Sequence, residues 1–192
     1  MDLLSDDEGQ LALGLARGTL EHTIGRKAEP GIQLTPVFME KRGVFVTLTK
    51  NEQLRGCIGF PYPYLPLGQA IVQAATAAAL EDPRFPRVTE DELAAIDLEV
   101  TVLTVPVPMD GDPEDRPKNV IVGKHGLIIR RMGTSGLLLP QVATDYNWDA
   151  KTFLDHTCMK AGLPGRCWKS STVEVLTFEG QIFSEHKRPD QG

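Results

Sequence analysis

Residues 43–60, GVFVTLTKNEQLRGCIGF, decide the fold. Val44, Val46 and Leu48 alternate with Phe45, Thr47 and Thr49, which is the period of a strand with one buried face. The polar run KNEQ follows and LRGCIGF then resumes, so the two runs predict a β-hairpin. The second run is the odd one, because Gly56 and Gly59 interrupt Leu54, Ile58 and Phe60. A glycine inside a strand gives up packing, and marks a bulge or the close approach of a ligand or another backbone. Unbroken alternation places Arg55, Cys57 and Gly59 on one face and Leu54, Gly56 and Ile58 on the other.

Upstream, Ser5 and Glu8 form a capping-box pattern ahead of a helical stripe of Leu11, Leu15, Ala16, Leu20 and Ile24, stopped at Gly25. Downstream, PYPYLP breaks the chain before the alanine-rich helix LGQAIVQAATAAAL. DPRFP, residues 82–86, is a constrained turn because each proline restricts itself and its predecessor, and Thr89 with Glu92 caps a short helix beyond it. DLEVTVLT reads as a strand. The stretch at about 106–119 is an acidic, proline-rich surface excursion. Then come the short strand VIVG, the turn KHG, the strand LIIRRM, the turn GTSG and the run LLLP, a three-stranded meander. Asp149 caps a last helix with Phe153, Leu154, Thr157, Cys158 and Ala161 on one face and His156 in solvent opposite. TVEVLTF and QIF form a closing strand pair before a polar tail. The fold class is α+β, a largely antiparallel sheet of hairpins and a meander packed with several helices, in a single domain over 1–192.

A net charge of −6 with a pI near 5.2 argues against nucleic-acid binding, which draws its affinity from lysine and arginine on phosphate. No apolar run approaches a membrane span and the acidic N-terminus is unlike a secretory signal, so a soluble, cytoplasmic protein is expected. Cys57, Cys158 and Cys167 are an odd number at unrelated spacings, pointing to a reducing compartment and away from a structural zinc. No metal ligand set is read, and no cofactor is assigned.

LRGCIG, the DPRFP turn, GKHG and LLLPQVA, in this order along nearly the whole chain, resemble the AMMECR domain family, in particular its prokaryotic members of AmmeMemoRadiSam type. The resemblance implies a compact α+β fold and a cleft lined by LRGCIG. It also implies association with a Memo-type protein, similar to non-haem iron dioxygenases, and with a radical S-adenosylmethionine enzyme. It implies no particular reaction.

The chemistry therefore rests on residues. A guanidinium at Arg55 beside Cys57 would favour the thiolate, the reactive form of cysteine, and Arg55 would equally anchor a carboxylate or phosphate. The other reading makes Cys57 a small buried hydrophobe and Arg55 a surface residue. His125, flanked by glycines in GKHG, is the candidate acid/base, or else a solvated turn residue. Gly56 and Gly59 clear room around the thiol, and Thr47, Asp82, Arg84 and Gln141 are further candidates to bind a small molecule. Asp82 and Arg84 also suit a mutual pair or a helix cap, while His22 and His186 read as exposed, and Trp148 and Trp168 as core edges. Two functions stay open: processing of a small molecule through Cys57, or a non-catalytic adaptor for the Memo-type and radical enzymes.

Overall fold

The structure, a computed structural model, describes residues 3–185; His186 and the rest of the polar tail lie outside the described residues. The chain divides into two compact units, one holding residues up to Leu103 together with those from Gln181 onward, the other Thr104–Gly180. The expected α+β class and antiparallel pairing are present throughout.

In the first unit, α1 (Asp6–Thr23) starts at the Ser5–Glu8 capping box, where each side chain accepts from the other residue's main-chain N–H. The hairpin is β1 (Val44–Lys50) and β2 (Gln53–Phe60), turning at Asn51 and Glu52, whose φ values of 51° and 62° suit the tight turns that follow strand twist. α2 (Leu67–Leu80) follows, then a 3-10 helix (Glu90–Ala95) with the Thr89–Glu92 capping box, and β3 (Ile96–Leu103) pairs with β1. The sheet order is β2-β1-β3, which leaves β2 on the edge. Val44, Val46, Leu48, Leu98, Val100 and Val102 are fully buried with the small residues Ala70, Ala74, Ala75 and Ala78 of α2. Alanine on the helix lets it lie close on the sheet, and that closeness dictates what the strands beneath may carry.

In the second unit, the stretch 106–119 holds β4 (Val107–Pro108), a 3-10 turn (Pro113–Asp115) and α3 (Arg116–Asn119). It is more than surface: Arg116 is buried and donates to the carbonyls of Trp168, Ser170 and Val173. β5 (His125–Arg131) and β6 (Thr134–Leu138) form a hairpin turning at Met132 and Gly133, both at positive φ. VIVG is therefore turn rather than strand, and the turn expected over GTSG sits one step earlier, since Thr134 already pairs with Arg131. α4 (Pro140–Asp145) and α5 (Ala150–Lys160) follow, α5 capped by Asp149, whose carboxylate accepts from the Thr152 N–H at 2.8 Å.

Two further expectations are corrected. TVEVLTF and QIF are one continuous strand, β7 (Glu174–Ser184), because the Glu179–Gly180 interruption stays extended and no chain reversal occurs there. Cys158 and Cys167 are joined by a disulfide in the second unit's core, so only Cys57 is a free thiol, and the inference of a reducing compartment from cysteine usage loses its footing. The nine-residue separation is closed by a loop in which Arg166 takes φ 63°, a geometry that spacing in the sequence does not disclose. Among the described residues, no helix is long and apolar enough to cross a membrane.

Candidate functional site

The LRGCIG strand departs from regular alternation. Leu48 faces Gly56 and Thr49 faces Leu54, so the register skips Arg55, the extra residue of a bulge. The alternation that would set Arg55 beside Cys57 is broken at that residue. Its guanidinium goes instead to Glu92, with Nε and Nη2 donating at 3.3 and 3.0 Å, while Lys50 donates to the same carboxylate at 2.9 Å. The Arg55 side chain is 11% exposed, and its Nη1 is buried without a hydrogen-bond partner among the described residues. Glu92, which also accepts from the Thr89 N–H, is held down to about 2, chiefly by the Arg55 hydrogen bonds and then by Lys50. Arg55 thus ties the bulge of β2 to the 3-10 helix ahead of β3.

The two glycines admit neighbours of different kinds. A β-carbon at Gly56 would lie 2.2 Å from the carbonyl oxygen of Ala78, so α2 rests directly on the strand, as close backbone approach predicts. A β-carbon at Gly59 would lie 2.3 Å from the Val44 carbonyl oxygen and 2.4 Å from the Phe45 ring. The expectation of empty space beyond Cys57 is therefore corrected. Phe45, the cross-strand partner of Gly59, lays its ring over it.

Cys57 itself is half-buried and lies opposite Thr47, whose hydroxyl donates to Sγ at 3.3 Å. Its main chain is held from the DPRFP turn. The Cys57 N–H donates to Asp82 Oδ2 at 2.9 Å, and Arg84 Nη2 donates to the Cys57 carbonyl at 3.1 Å. Arg84 also grips Asp82 through Nε at 2.9 Å and Nη2 at 2.7 Å, and its own N–H donates to Asp82 Oδ1 at 3.1 Å. These hydrogen bonds from Arg84, helped by the Cys57 N–H, hold the buried Asp82 carboxyl well below the usual carboxylate range against the opposing effect of burial. Asp82 in turn raises Arg84. Since β2 is the edge strand, the pair occupies the place of a missing neighbour: an acceptor for the outward N–H and a donor for the outward C=O.

His125 and Gln141 lie in the second unit, whereas Thr47, Arg55, Gly56, Cys57, Gly59, Asp82 and Arg84 lie in the first. His125 opens β5 rather than projecting from a turn. Its N–H donates to the Ile121 carbonyl at 2.8 Å and its Nδ1 accepts from the Ile121 N–H at 3.2 Å, which leaves the ring proton on Nε2. Gln141 is exposed in the first turn of α4, its carbonyl accepting from the Thr144 hydroxyl. His156 is not simply solvated, since it stacks on Trp148. Trp168 is buried and donates from Nε1 to Asp155 at 2.7 Å. Cys57 lines none of three cavities found among the described residues, of about 550, 370 and 290 Å³.

Sequence reasoning missed Phe45, Lys50 and Glu92 as partners of the motif. A two-residue turn at 51–52 alone would set Phe45 opposite Ile58, and the Arg55 bulge shifts the register by one to bring Phe45 over Gly59. The reach of Glu92 to Arg55, 37 residues apart, has no local signal.

An α+β chain whose edge-strand LRGCIG is held by a DPRF turn has counterparts among known proteins. The AMMECR1 family model matches residues 13–183, and the chain belongs to that family. It is 51% identical over 188 residues to Protein Mbar_A1807 of Methanosarcina barkeri, covering 95% of this chain and 93% of that one. It is 46% identical to Protein PF1979 of Pyrococcus furiosus, covering 95% and 90%. The crystal structure of protein PH0010 from Pyrococcus horikoshii superposes with a TM-score of 0.77 at 43% identity, covering 95% of this chain and 93% of that one.

Proposed function

We propose that this AMMECR1-family protein is a non-catalytic adaptor, working with the Memo-type protein and the radical S-adenosylmethionine enzyme that its resemblance implies. One observation carries the reading: the Arg55 guanidinium, the partner the sequence offers to Cys57, is bound by Glu92 instead and ties the strand to the 3-10 helix. The motif's other unusual residues also have architectural work, Gly56 under Ala78 and Gly59 under Phe45. A second reading, processing of a small molecule through Cys57, is favoured by one feature: the half-buried thiol stands on a main chain fixed at both its N–H and its C=O and accepts from Thr47, which suits a positioned nucleophile.

The test uses the full chain and its Cys57→Ser variant, each mixed with the Memo-type protein and the radical enzyme of the same organism and followed by light scattering. The adaptor reading expects a defined complex with both forms. Assembly with neither form overturns it. Assembly, or turnover of a small molecule, that needs the sulfur transfers the function to Cys57.

A further inference from the structure

We propose that the stacked rings of Tyr146, Trp148 and His156 form a docking surface for an arginine side chain of a partner protein. The stack is produced by chain reversal. α4 ends at Asp145, Asn147 takes φ 53°, its N–H donates to Thr144 and the Trp148 N–H donates to Ala143 at 2.8 Å. That reversal sets Tyr146 against Trp148 with ring centroids 5.0 Å apart and planes within 17°. The other face of Trp148 is covered by His156 of α5, at 3.8 Å and 4°. Trp148 is therefore sandwiched and Tyr146 is terminal, and at 68% exposure its second face is bare.

Two of the three rings are fixed by something other than a ligand, and Tyr146 rests on them by stacking. Trp148 packs on the second unit's core, and Asp149 caps the helix that carries His156. A preformed platform loses little further freedom when it is covered. Its bare face suits either a planar base or a planar cation, because the ring quadrupole attracts positive charge and a flat group keeps contact across the ring. Charge decides between them. Residues 145–156 contain Asp145, Asp149 and Asp155 against Lys151, within a chain of net charge −6. Asp145 and Asp149 are exposed beside the stack in the chain. A nucleotide would bring phosphate into this field, whereas a guanidinium is attracted by it and stacks where the compact ammonium of lysine does not. The inference holds whichever role Cys57 has.

The probe is acetyl-Gly-Arg-Gly-amide, titrated into the full-length protein and read by NMR at the indole N–H of Trp148, with that of Trp168 as internal control. The expected result is a saturable shift of Trp148 alone. The citrulline peptide, flat but neutral, should bind at least ~5-fold more weakly. Tyr146→Ala, at an exposed site, should abolish the response, and Asp145→Asn should weaken it ~2-fold or more while leaving the stack intact. No saturable shift, equal binding of citrulline, tighter binding of AMP, or a response that survives Tyr146→Ala would each overturn the proposal.

Discussion

Replacing Asp82 by alanine tests whether its pair with Arg84 holds the edge strand. Three interactions are lost at once: the acceptor for the Cys57 N–H, the acceptor for the Arg84 N–H, and the counter-charge of the guanidinium. They are not equal. Asp82 is 5% exposed and Cys57 half-buried, so the Cys57 N–H is left with poor access to water, a loss of ~1–3 kcal/mol. The Arg84 side chain is 53% exposed, so water screens its ion pair and replaces it at a loss of ~1 kcal/mol or less. The sum, ~1–4 kcal/mol, corresponds in a chain of this length to a fall in Tm of roughly 2–16 °C. Asp82→Asn keeps an oxygen for the Cys57 N–H and should lose about 1–2 kcal/mol. Thermal and urea melts at pH 7 of wild type and both variants decide the matter. An alanine variant melting within about 1 °C of wild type, or an asparagine variant as damaged as the alanine one, would refute the claim that the main chain of Cys57 is held from this turn.

Acid sensitivity follows from the same groups: both Asp82 and Glu92 have depressed pKa values, so their stabilisation is fully present above the ordinary carboxylate range and is lost as pH falls through it, for Glu92 down to about 2. Glu92→Gln should therefore flatten the decline in stability below pH ~4.5, measured by urea midpoints across that range, and an unchanged slope would count against the Arg55–Lys50–Glu92 cluster. Gly56→Val and Gly59→Val should both be severely destabilised, each by ~2 kcal/mol or more, since each new side chain meets main-chain oxygen; a Gly59→Val protein that melts like wild type would show that Phe45 and the strand yield. Reduction should cost the second unit about 2–3 kcal/mol, the loop-closure value for a separation of nine residues, and native alkylation should label Cys57 before reduction and all three cysteines only after it.

Features decided by neighbours in the chain were legible in the sequence. The Ser5–Glu8 and Thr89–Glu92 capping boxes, the Asp149 cap, the helix at residues 67–80 and the 43–60 hairpin all depend on contacts a few residues apart. The close approach at Gly56 was legible too, from the glycine itself, whereas Thr47 meets Cys57 only after the bulge has shifted the register by one. Arg55 was not. A bulge consumes one residue without any required side chain, and every residue before it in β2 then changes face, which is why Leu54 sits opposite Thr49 and is exposed. The disulfide was hidden behind the odd cysteine count, and the Trp148–His156 stack behind a left-handed Asn147, both consequences of how loops close. His125 looked free between glycines because its hydrogen bond to Ile121 depends on a turn that VIVG, read as a strand, concealed.

The Asp82–Arg84 pair grips the edge of β2 through the peptide atoms of residue 57, an N–H and a C=O that every amino acid except proline offers alike. That grip on the main chain is indifferent to what it holds, and serine, which keeps an acceptor for the Thr47 hydroxyl, would seat in it as cysteine does. Architecture thus places no demand for sulfur at this position, and a loss of biological activity in a well-folded Cys57→Ser protein would be a statement about chemistry or recognition alone.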